Sequence, residues 1–69
     1  MKMLIQQGKK YKHVHCLDMY IYIAERPELT RKGWVCSVLY FSGNNRLLWE
    51  TPDEVVLTWR QIGNWREIN

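Results

Sequence analysis

The run from Val55 to Ile68 constrains this chain more than any other stretch. Val55, Val56, Leu57 and Thr58 favour a strand because β-branched side chains fit a pleated surface. Trp59 to Gly63 then reads as a single 3₁₀-type turn, and residues 64 to 68 as a last strand opening on Asn64 and Trp65. A short β run, a tight Gly-Asn turn and a closing strand is how a very small β-barrel shuts. No catalytic constellation accompanies it, so the chain points to a binding module and not to an enzyme.

Size sharpens that expectation. Sixty-nine residues make one domain, spanning residues 1 to 69. A domain of this size buries only about 60% of its unfolded surface, so large rings or self-association must help it. Four Trp, four Tyr and one Phe supply the rings. Cys16 and Cys36 are far apart and form no CxxC, which suits a reducing, cytoplasmic setting. The apolar start is too short for a secretory segment or a membrane span.

Strand signals recur along the chain. Gly8-Lys9-Lys10 is a turn, followed by an extended run from Tyr11 to Cys16. Met19, Ile21 and Ile23 alternate with Tyr20 and Tyr22, the period of two expected of a strand. Residues 25 to 33 form a polar loop punctuated by Pro27 and Gly33. Residues 34 to 41 are the longest apolar run, apolar on both faces as in a central strand. Ser42-Gly43-Asn44-Asn45 is a hairpin turn, with residues 46 to 50 returning antiparallel. Thr51-Pro52-Asp53-Glu54 fits a helix capping box, but the β-branched residues after it favour a turn at Pro52-Asp53 and a strand over 54 to 58. Residues 1 to 7 suit a short helix or a loose strand. The expected architecture is all-β: a small five-stranded barrel of SH3-like, Sm-like or OB-like type, with the last less suited to so short a chain. Its expected core is Val14, Leu17, Ile21, Ile23, Val35, Val38, Leu39, Leu48, Val56, Leu57 and Ile68.

Charge and aromatic placement suggest a ligand. The net charge is +3, and before Asp18 there are four Lys, two His and no acid. A basic arm of this kind suits phosphate backbones, although it also serves as a solvated terminus. Tyr11, Tyr20 and Tyr22 stand near Lys12 and His13, and rings beside cations are what single-stranded nucleic acid requires. His13, His15 and Cys16 lack the paired spacing of a structural zinc site, and the two cysteines read as small buried hydrophobes. A Cys–His–Asp nucleophile would need an oxyanion hole and cleft that so small a barrel has little room to build. No glycine loop follows a phosphate or dinucleotide fingerprint. Neither a metal nor a cofactor is expected.

The runs Gly8-Lys9-Lys10-Tyr11-Lys12-His13-Val14-His15-Cys16-Leu17-Asp18-Met19 and Ile62-Gly63-Asn64-Trp65-Arg66-Glu67-Ile68 resemble a group of small marine phage proteins of the cyanophage type. That group is associated with an Sm-like (LSm) barrel that assembles into homo-oligomeric rings and is suspected of binding RNA or DNA. The resemblance implies a partner in RNA or single-stranded DNA, a second partner in further copies of the chain, no membrane, and the cytoplasm of an infected host cell. The broader Sm family carries Asp, two residues, then Met and Asn in one RNA-contacting loop, and Arg-Gly in another. Here Met19 and Tyr20 follow Asp18 directly, and Ile62 precedes Gly63. Joined to the basic arm, this gives an expected nucleic-acid site of Lys9, Lys10, Tyr11, Lys12, His13, Asp18, Tyr20, Gly63 and Asn64. The other expectation is an SH3-like module that binds a host protein.

Overall fold

Alternation decides the strands, and register decides which side of each strand is buried. The computed structural model describes residues 4–16 and 18–68. Its strands are β1 (Lys10–His13), β2 (Met19–Ile23), β3 (Glu28–Leu29), β4 (Gly33–Ser42), β5 (Asp53–Thr58) and β6 (Trp65–Ile68), with a 3₁₀ turn at Ile62–Asn64 before β6. All pairings are antiparallel, in the order β3-β4-β2-β1-β6, with β5 against β4. The sheet is not closed: among the described residues β5 pairs only with β4, and β6 only with β1. The all-β class is therefore correct, whereas six strands stand where five were expected.

Cross-strand partners share a face. Tyr11 opposes Ile21, Ile21 opposes Tyr40, Ile23 opposes Val38, and Cys36 opposes Val55. Tyr11, Ile21, Ile23, Cys36 and Val38, with Ile5 and Leu57, make the core, against which Trp34, Tyr40, Val55, Ile62 and Trp65 pack. Each fully buried aliphatic or aromatic side chain contributes on the order of 1.5–3 kcal/mol. Ile21, Ile23, Val38 and Leu57 were expected in this core. Val35 opposes Val56 on the other face, and Val56 is 42% exposed. Val14 and Leu48 are also exposed, because Val14 falls in the turn after β1 and Leu48 in a bend outside the strands. Val35, Leu39 and Ile68 are half-buried, and Leu17 lies outside the described residues. Ile5 and Tyr11 are core residues that pattern did not reveal.

Two boundaries depart from expectation. Residues 46 to 50 do not form a strand. The turn closes as expected, with Asn45 in the left-handed region at φ 65°. Only a Phe41–Leu47 bridge follows, because β5 already occupies that edge of β4 from Gly33 to Val38. The edge left above Val38 is too short for a ladder. The extended run after Tyr11 is also shorter: β1 ends at His13, where the Val14 N–H donates to the Asn64 carbonyl at 2.8 Å and the chain turns. Neither the capping box at Thr51 nor a helix over residues 4 to 7 forms. The polar loop contains β3, whose two residues pair with Trp34 and Val35.

Gly33 fixes the start of β4. Its φ is +144°, and a Cβ there would meet the Leu57 carbonyl oxygen at 2.0 Å. Gly33→Ala should therefore cost at least about 3 kcal/mol, from backbone strain and a displaced strand. Gly63→Ala, with nothing within 4 Å of the new methyl, should cost less than about 1 kcal/mol. Urea denaturation of the two variants gives the comparison.

Candidate nucleic-acid interface

The alternation of β1 divides its residues between two environments. Tyr11 points inward and is fully buried. Its hydroxyl donates to the Leu4 carbonyl at 3.3 Å and accepts the Gln6 N–H at 3.0 Å, tying the N-terminal segment to the sheet. Burial raises its pKa above the ordinary 10.0, with the Gln6 hydrogen bond pulling the other way. A ring so enclosed presents no surface to a base, which corrects the expectation that Tyr11 belongs to a binding surface. His13 shares the inward face and meets Trp65 edge-on at 5.0 Å. Its Nδ1 accepts the His15 N–H at 3.1 Å.

Lys10 and Lys12 take the opposite, outer face. Register places Lys10 against Tyr22 on one side and Ile68 on the other, and Lys12 directly against Arg66. Tyr20 and Phe41, also partners, stack at 5.3 Å with an interplanar angle of 8°. Tyr22 stands edge-on to Phe41 at 6.4 Å. The Lys10 ammonium lies 5.6 Å from the Tyr20 ring centre. The Tyr20 hydroxyl donates to Asn45 Oδ1 at 2.8 Å. Tyr20 is only 6% exposed, so it is held inside the aromatic cluster, while Tyr22 and Phe41 remain partly accessible.

Lys12 opposite Arg66 is unfavourable for folding alone, because directly opposed like charges repel. Arg66 turns its guanidinium to the Gly63 and Trp65 carbonyls. The ion pair between described residues is Lys9 with Glu67 at 3.9 Å, and both side chains are substantially exposed. Such a pair contributes little to stability.

The remaining expected residues gather at one end of the sheet. Asp18 is exposed, and its carbonyl accepts the Gly43 N–H at 2.8 Å. Gly63 and Asn64 form the 3₁₀ turn beside the end of β1. A small apolar cleft of about 60 Å³ is lined by His13, Cys16, Met19, Tyr20, Tyr40 and Trp65 among others, and not by Asp18, Gly63 or Asn64. A larger open groove lies elsewhere, between the N-terminal segment and β3, with Leu4, Pro27, Leu29 and Trp34 on its walls. The indole N–H of Trp34 is buried without a hydrogen-bond partner among the described residues. Among the described residues, no three His, Cys, Asp or Glu side chains group as a metal site.

Arg66 was not among the expected site residues, and Phe41 was read as the end of the longest apolar run. Both join the outer face through cross-strand register, which the sequence does not display. Comparison with protein families, with curated proteins and with solved structures gives no match to this chain.

The two cysteines differ sharply. Cys16 is half-buried, whereas Cys36 is enclosed and desolvation pushes its thiol from 9.0 up to about 11. The unfolded chain releases this proton near pH 9, while the folded chain keeps it until about pH 11. The stabilisation is present below pH 9 and is lost as the pH rises through that window. Denaturation midpoints should fall above pH 9, and Cys36→Ala should flatten the decline between pH 9 and 10. A thiol reagent should modify Cys16 in the native protein and Cys36 only on unfolding.

Proposed function

We propose that this protein binds nucleic acid, RNA foremost, and acts as a homo-oligomeric ring of Sm-like barrels in RNA or DNA processing. The observation that carries the reading is the Lys12–Arg66 pair with Lys10 beside it. Three cations share one face, and among the described residues none is ion-paired to a carboxylate. A polyanion relieves their repulsion on binding, so charge that opposes folding favours the complex. The rings on the same face supply the stacking partner that phosphate contacts alone lack.

The edges of β5 and β6 support assembly. Unpaired strand edges recruit partners, and joining β5 of one copy to β6 of the next is a head-to-tail contact. Repeated with a suitable rotation, that contact closes a ring. Self-association should persist at micromolar concentration in light scattering, and a monomer there would remove the ring from the proposal.

The rival reading is an SH3-like module for a host protein. The groove lined by Leu4, Pro27, Leu29 and Trp34 favours it, since the Trp34 N–H has no acceptor among the described residues. Salt separates the two. Each phosphate neutralised on a single strand contributes a slope of about −0.7 in log affinity against log salt. Replacing Lys9, Lys10 and Lys12 together by Ala should therefore weaken oligonucleotide binding for every sequence and flatten the slope by up to about 2. Unchanged binding at low salt would favour the peptide groove.

A further inference from the structure

We infer that the outer face of β6, β1, β2 and the end of β4 is an open platform for unpaired bases, with Tyr22 and Phe41 as its stacking rings. The inference rests on the nucleic-acid reading and commits it to a single-stranded ligand and to a sheet face rather than a loop rim.

The face is ordered in rows. β6 and β1 carry Arg66, Lys12 and Lys10, while β2 and β4 carry Tyr22 and Phe41. Neighbouring strands lie about 4.8 Å apart, so the cations stand between about 5 Å (Lys10 beside Tyr22) and about 14 Å (Arg66 from Phe41) to one side of the rings. A strand whose phosphates follow the cations can lay its bases over the rings. Charge complementarity selects this occupant: the outward positions of β1 and β6 are Lys10, Lys12, Arg66 and Ile68, with no acid among them. Glu67 has the opposite parity and pairs with Lys9.

The same geometry disfavours a duplex. Rings can take a base only when it is unstacked from its neighbours. Four adjacent strands span roughly 14 Å, wider than the B-DNA major groove of about 12 Å and wider still than the narrow major groove of an RNA duplex, and among the described residues no helix projects from this face to enter either. Tyr20 has a different part. Its ring is covered by Phe41 and Lys10, and its hydroxyl is held by Asn45. It is a positioning residue that fixes the plane of Phe41 and the height of Lys10, and it does not itself offer a stacking surface.

The test is fluorescence anisotropy with a labelled oligouridylate and with a fully paired RNA duplex of the same length. The parent should bind the single strand at least about tenfold more tightly than the duplex. Tyr22→Leu and Phe41→Leu keep apolar bulk in the cluster, and circular dichroism checks that each retains the sheet. Each should weaken single-strand binding by about 5- to 160-fold, the range a lost base stack gives, with the salt slope unchanged. Replacing Lys10, Lys12 and Arg66 by Ala should instead flatten the slope. Equal affinity for duplex and single strand, or folded Leu variants that bind like the parent, would overturn the stacking platform while leaving salt-dependent nucleic-acid binding in place. Failure of the parent to bind either RNA, at low salt, would overturn the nucleic-acid reading and the platform with it.

Discussion

The strand Gly33–Ser42 is shared by every other part of the sheet except the β1 ladders. One of its edges pairs with β2 and β3, the other with β5. Ten residues with both edges engaged leave no freedom of register, since a slip by one residue would turn Cys36 and Val38 outward. Gly33 sets the start of this ladder, because only a residue without Cβ can approach the Leu57 carbonyl so closely. The place of every inward and outward side chain on β2 and β5 follows from there.

That fixed parity gives one small sheet two unlike faces. The inner face gathers Tyr11, Ile21, Ile23, Cys36, Val38 and Leu57 into a core closed from the N-terminal side by Ile5. The outer face gathers Tyr20, Tyr22 and Phe41, with Lys10, Lys12 and Arg66 beside them. Tyr20 is nearly buried without belonging to the core, since its neighbours on the outer face enclose it. The stack stabilises the sheet from the second side, which a chain of this size needs. Lys12 facing Arg66 has no such benefit for folding, and this contrast makes the outer face the candidate site.

Strands with strict alternation were legible in the sequence. Met19–Ile23 appears where its pattern places it, and Asp53–Thr58 and Trp65–Ile68 fall within a residue of expectation. Pattern failed where competition between partners decides. Leu47 and Leu48 are as apolar as a strand requires, yet β5 already occupies the β4 edge they would use. Val56 suits a core by composition and is turned out by its register with Val35. Of the candidate site, the charge of Lys10 and Lys12 was legible, while Asp18 precedes β2 and Gly63 and Asn64 precede β6, at the end of the sheet where β1 finishes. Tyr11 was misplaced because a Tyr between two Lys reads as solvent-facing, although alternation sends it inward. Arg66 could not be paired with Lys12 without the β1–β6 register, because more than fifty residues separate them in the chain.

Position on the sheet also relates the proposed ligand face to the proposed assembly. Arg66 lies on β6, whose far edge has no ladder partner among the described residues, so the cation row ends at that edge. A copy joined there through its β5 would extend the sheet sideways and leave the outer face uncovered, because ladder hydrogen bonds lie in the plane of the sheet. Assembly and ligand binding would then use different groups: backbone amides for one, outward side chains for the other. The cation rows of successive copies would repeat at the spacing of the subunits. A single strand too weakly held by three cations on one copy would gain from engaging several copies at once, since each later contact is intramolecular. A chain too short to build a deep site can obtain affinity in this way by repeating a shallow one.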